Sequence, residues 1–249
     1  GLARMYSWDP NPLWLQTAKD GADWLIDVRD KGKNEKRLAN DHWLMLGLAW
    51  VYKYTGDEKY LKHSLALVDA VNYQYEKNRP AWDEFWDFQG GYYDPPRSTP
   101  AATRGEGLGA VLETCRVAGR DCKHVRFLLE ETVRHENLSQ YDPVTNYWMK
   151  RPKRSFGGWN GGLLDPDVRN DFAQHNMSSA LGLERAWRRD LGTELPGSPG
   201  WTERRLSGEA TWAGVPAAQL TELQAWSKAM RGDTHWDTLW AKQQADSAE

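Results

Sequence analysis

The chain has 249 residues, 27% of them charged and 40% hydrophobic, with a formal net charge of −3. That balance gives no reason to expect nucleic acid as a partner, and no apolar run approaches the roughly 20 residues a membrane span needs. The length suits a single domain over 1–249, and its 15 Trp and 10 Tyr beside only 5 Phe favour rings with polar edges, which suit sugar faces as well as cores.

The first predicted helix runs Pro12–Arg29, and the next begins near Asn40. Within the latter, Trp43–Val51 is apolar nearly all round, which predicts burial on every side. A turn at Thr55-Gly56-Asp57 leads to Glu58–Tyr75, whose Tyr60, Leu61, Ser64, Leu65, Val68 and Val71 form one stripe. That helix keeps one face in water. The pattern repeats in Pro100–Ala118 and Cys122–Glu136, joined at Gly119-Arg120-Asp121. Its first helix carries Gly105, Gly107, Leu108, Ala110, Val111 and Leu112; its second sets Val125, Leu128, Leu129 and Val133 among charged residues. A third inner helix is predicted at Pro166–Leu191, before Gly192. Thr99-Pro100 and Asp165-Pro166 read as an N-cap followed by proline at the first helical position.

This alternation of inner and outer helices predicts an all-α fold, an α/α toroid or incomplete toroid of about four helical hairpins. Its inner segments are Trp43–Val51, Gly105–Leu112 and Phe172–Leu181. β-Hairpin signals are weak, with room for a short strand at Gly90–Tyr93. Beyond the third hairpin, 193–215 reads as a linker-like stretch, Pro216–Arg231 and Thr234–Gln244 as helices, and 232–249 as a flexible tail. Cys115 and Cys122 flank the Gly119 turn and are read equally as a disulfide or as two buried thiols; the disulfide would favour an extracytoplasmic compartment. The N-terminus does not read as a signal peptide, and the start at Gly1 leaves room for a removed leader or upstream segment.

The connections into inner helices are long and aromatic: Lys31–Ala39, Arg79–Thr99 and Tyr141–Asp165. Such loops tend to carry function. They end where the first turns of the inner helices bear polar groups: Asp41 and His42, then Arg104 and Glu106, then Arg169, Asp171 and His175. Parallel inner helices would gather these at one mouth. Two of Asp41, Glu106 and Asp171 would serve as acid and base, or acid and nucleophile, for glycosidic cleavage, with His175 as the alternative proton carrier. The competing reading is that first-turn carboxylates only answer the helix dipole. Trp86, Tyr92, Tyr93, Trp148 and Trp159 would roof the cavity, and Arg97, Arg104 and Arg169 would receive an anionic sugar. The basic run Lys150–Arg154 reads as a solvated loop. The glycines of Arg104–Gly109 lie inside a helix and form no phosphate loop; no HExxH, CxxC or GxSxG occurs, and the six His are scattered. No metal and no cofactor are therefore expected.

Trp43–Val71, with Gly47-Leu48 and the turn Thr55-Gly56-Asp57-Glu58-Lys59-Tyr60-Leu61, resembles the helical hairpins of the six-hairpin glycosidase-like superfamily. That superfamily includes unsaturated glucuronyl hydrolases and, more loosely, N-acylglucosamine 2-epimerases. The resemblance implies a carbohydrate-active enzyme, first a glycoside hydrolase on an acidic or polar polysaccharide. The alternatives are a polysaccharide lyase or sugar epimerase, and a non-catalytic glycan-binding or scaffold domain. Six hairpins complete that toroid and this chain holds about four, so a smaller ring or a part of a larger polypeptide is implied.

Overall fold

The computed structural model describes residues 1–82, 85–162 and 164–190, and everything below concerns these residues. They hold eight α-helices: α1 (Leu2–Met5), α2 (Pro12–Trp24), α3 (His42–Thr55), α4 (Glu58–Trp82), α5 (Ser98–Val117), α6 (Lys123–Leu138), α7 (Pro152–Ser155) and α8 (Asn170–Asp190). Strands β1 (Asn160–Gly162) and β2 (Asp165–Val168) pair antiparallel between α7 and α8. The described residues are thus predominantly helical, as the periodicity predicts, and among them no helix is long and apolar enough to cross a membrane. The readings placed on 193–215, Pro216–Arg231, Thr234–Gln244 and 232–249 lie outside the described residues.

Local chemistry starts and stops the helices. Asn11 accepts a hydrogen bond from the Leu13 amide at 3.0 Å and Pro12 opens α2, which continues as a π-helical turn over Leu25–Arg29. Asp41 caps α3 through the Leu44 amide at 2.9 Å, and Gly56, at φ 64°, ends it in the left-handed region. Between α5 and α6 the Arg120 amide reaches the Cys115 carbonyl while the Gly119 amide reaches Arg116, the paired closure of a Schellman turn. Cys115 and Cys122 are joined as a disulfide across that turn, with their Cα atoms 6.2 Å apart.

Helix α5 is the hub. It packs against α3 on one side and α8 on the other, with α4 and α6 also in contact with it. Glycines permit the closeness. A Cβ on Gly107 would overlap Met45 Sδ of α3, and one on Gly105 would overlap Ser179 Oγ of α8. Met45, Leu48, Leu61, Leu67, Leu108, Val111, Leu128, Leu129 and Leu183 are buried around this axis. Burial of each such side chain contributes on the order of 1.5–3 kcal/mol.

Three local expectations are corrected. Helix α5 starts at Ser98 with Arg97 in the cap position, so the Thr99-Pro100 pair lies within its first turn. Asp165-Pro166 opens a strand instead of a helix: the Pro166 carbonyl accepts from the Tyr141 hydroxyl at 2.9 Å, and α8 begins only at Asn170. Proline without an N–H is as compatible with an edge strand as with a helix start. Gly90–Tyr93 forms no strand, because positive φ at Gly90 (87°) and Tyr92 (60°) bends the chain there.

Candidate functional site

The helix faces that meet across α5 bring together three side chains from three helices. His42 opens α3, Glu106 sits in the third turn of α5, and His175 lies in the second turn of α8. Glu106 Oε2 lies 2.7 Å from His175 Nδ1 and 3.7 Å from His42 Nε2. An ionised carboxylate only accepts, so the first contact is an imidazole N–H donated to Glu106. One donor atom from each residue falls within 4.8 Å of the other two. The imidazole rings meet edge to face with centroids 5.6 Å apart. Glu106 is only 6% exposed, and burial lowers the pKa of His42 against the opposing pull of Glu106. The buried Nε2 of His42 has no hydrogen-bond partner among the described residues.

Trp43 marks the open side. Its ring lies 4.6 Å from that of His42 and 6.2 Å from that of His175, and the residue is 61% exposed. The expectation of burial on every side of Trp43–Val51 therefore fails at its first residue: Leu44 and Leu48 enter the core, whereas Trp43 projects from the first turn.

Arg104 stands two residues before Glu106 and so faces elsewhere. It is buried, donates from Nε to Gln74 Oε1 at 3.0 Å and from Nη2 to the Tyr93 hydroxyl at 3.3 Å, and its guanidinium lies 5.0 and 5.1 Å from the Tyr92 and Tyr93 ring centres. Its positive charge still acts on His42, lowering that pKa. Behind Gly105, Glu136 of α6 is wholly buried; burial raises its pKa well above the usual carboxylate range, the charge of Glu106 pushes the same way, and Ser179 opposes both. Beside Glu136, burial pushes His135 down to about 4, with its Nδ1 3.1 Å from the Asp87 carbonyl.

The other expected site residues are placed differently. Asp41 is committed to the α3 cap and to Arg29, 2.5 Å from its other oxygen. Asp171 is half-buried and held in a fork by Arg169, with both contacts at 3.0 Å, although it lies one helical turn from His175. Arg169 also covers the Phe172 ring at 4.9 Å. Tyr92 has no free ring face: it is fully buried, its hydroxyl 2.8 Å from Thr132 Oγ1. Trp159 is buried in a bridge to Gln140. Trp86, Tyr93 and Trp148 are exposed, Trp148 donating to the Thr145 carbonyl at 2.9 Å. Arg97 is exposed at the α5 start. First-turn position was thus a poor guide. Arg104 and Glu106 lie deeper because α5 begins earlier than its Thr-Pro signal, and His42 joins the cluster although only its polarity on an apolar helix marked it out.

A cavity of about 440 Å³ lies toward the other end of α5, lined by Leu112, Arg116, Arg120, Cys122 and Arg126. Its arginines are paired with Glu113, Glu58 and Glu130, which leaves it little power to hold an anion. Comparison of the chain with family models, with curated proteins and with solved structures returned no match.

Proposed function

We propose that this chain is a carbohydrate-active enzyme, built as an arc of an α/α toroid, that works at the acidic carbon beside a sugar carboxylate or carbonyl, as a lyase or epimerase. The adjacency of α3, α5 and α8, with α4 and α6 also packed on α5, supports the arc. The observation that carries the chemistry is a single buried carboxylate, Glu106, between two imidazoles beneath an exposed tryptophan. Hydrolysis of a glycosidic bond by the usual route needs two carboxyl groups flanking one substrate. Here Asp41 is bound to a cap and to Arg29, Asp171 to Arg169, and Glu136 is sealed from any ligand.

Abstraction of a proton next to a carboxyl or carbonyl group has other needs. It requires an electrophilic spot for the substrate oxygen, where charge develops, and a proton acceptor beside it. The imidazoles of His42 and His175 are assigned to the first. The Glu106 carboxylate between them is assigned to the second. Trp43 offers a flat face to a sugar ring.

Incubation with uronate-containing oligosaccharides in deuterated water tests this. A lyase yields an unsaturated, ultraviolet-absorbing end; an epimerase incorporates one deuterium without shortening the chain. Glu106→Gln and His175→Gln are each expected to lower the rate at least a hundredfold. Shortened chains carrying one added water would establish hydrolysis instead, and an intact glycan without exchange would leave a binding domain.

A further inference from the structure

We propose that His42, Glu106 and His175 form a binding site for a divalent transition-metal ion of zinc type. The scatter of six histidines along the sequence does not carry over into space: two of them reach one carboxylate from separate helices. Two imidazoles and one carboxylate are a donor set that zinc takes in three-ligand sites, leaving a further position open. The same set also suits iron and other first-row ions.

The distances fit. An ion about 2.0–2.1 Å from each donor, in tetrahedral arrangement, would hold the donors roughly 3.3 Å apart. Glu106 Oε2 now stands 2.7 Å from one imidazole nitrogen and 3.7 Å from the other, and no donor pair exceeds 4.8 Å. Side-chain rotations of under an ångström or two would suffice, and the backbone need not move. A second observation points the same way: the Nε2 of His42 is buried and aimed at Glu106, with no hydrogen-bond partner. A buried polar atom left unpaired costs about 1–3 kcal/mol, and a lone pair given to a cation removes that cost. The surroundings disfavour harder ions, since magnesium and calcium take oxygen donors and two of the three donors here are imidazole nitrogens. The open position would face Trp43, the exposed side of the cluster.

For its catalytic consequence this inference rests on the proposed reading, because the ion would be the electrophile that receives the sugar's carboxyl or carbonyl oxygen. Metal binding itself does not depend on that reading. The test uses the full chain, freed of metal by a chelator and titrated with zinc alone, with cobalt(II) as a spectroscopic probe and magnesium as a control. One equivalent of zinc is expected to bind and to raise Tm in a concentration-dependent way, with cobalt giving the visible bands of a four- or five-coordinate site and magnesium no effect. His42→Gln and His175→Gln are expected each to weaken zinc at least a hundredfold while circular dichroism stays unchanged; either serves if the other variant misfolds. Absence of stoichiometric binding, or binding unaltered in both variants, overturns the site. Zinc bound without turnover of any uronate glycan would sustain the site and overturn the enzymatic reading; turnover by metal-free protein would sustain that reading and overturn the ion's part in it.

Discussion

Two buried carboxylates in this molecule each contact histidine, and they live in opposite electrostatic company. Asp30, 4% exposed, takes Arg29 at 2.7 Å, Lys33 at 3.3 Å and His63 at 3.1 Å. Burial alone would raise its pKa, but these hydrogen bonds and charges outweigh it and hold the group at about 2. Glu106, buried to the same degree, has two imidazoles in contact and no lysine or arginine within ion-pair distance among the described residues. The first carboxylate is saturated by permanent cations and fastens the π-helical turn to α4, with Arg29 passing the link on to the α3 cap. The second is held by groups that can change their protonation or accept an ion. Burial therefore does not separate a carboxylate fixed by permanent cations from one held only by imidazoles; the kind of partner does.

The comparison can be broken most severely at the helix contact that delivers Glu106. Gly105→Val would drive a side chain into Ser179 and toward Glu136. It is expected to cost about 3 kcal/mol or more and to abolish any function of the cluster, read as a loss of cooperative melting or a fall in Tm of 10 °C or more.

Asp30→Asn removes the anion from Arg29, Lys33 and the His63 imidazole and is expected to cost about 3 kcal/mol, whereas Glu106→Gln should cost under about 1 kcal/mol. Denaturant melts of the two variants side by side decide this, and equal losses would erase the distinction drawn above. The same pair sharpens the pH profile. Because the folded pKa of Asp30 is lowered to about 2, the stability it contributes is present above its unfolded value near 4. As pH falls from about 4 through 2, roughly 2 kcal/mol should disappear in the parent chain, and that component should be missing from Asp30→Asn.

The smallest expected effect lies where Asp30's network ends. Asp41→Ala deletes the α3 cap and the Arg29 contact, at a cost of about 1–2 kcal/mol, without reducing turnover per folded molecule if Glu106 and the histidines carry the chemistry. A large loss of turnover at unchanged Tm would return Asp41 to the active site.

What the sequence by itself determined was local. Helices α3 and α4 were legible because hydrophobic period, the Asp41 cap and the Gly56 turn all act within a few residues of one another. The α5–α6 turn was legible for the same reason, through Gly119 and the two cysteines; whether these were bonded was not, since seven residues of separation are compatible with either state. The polar residues at the heads of apolar helices included the three that meet, His42, Glu106 and His175, beside Asp41, Arg104, Arg169 and Asp171, which pair elsewhere. Their gathering was expected; which of them would touch was not foreseeable. Which face of α5 meets which helix depends on how closely Gly105 and Gly107 let Ser179 and Met45 approach, and on the axial offset set by where each helix begins. Asp165-Pro166 shows the limit most simply: the same two residues can open a helix or an edge strand, and the hydroxyl of Tyr141, distant in sequence, takes up the Pro166 carbonyl within the strand. Sequence sets caps, periods and turns because their partners are neighbours along the chain; tertiary structure alone decided the His42–Glu106–His175 cluster, because its three partners are neighbours only after the helices have packed.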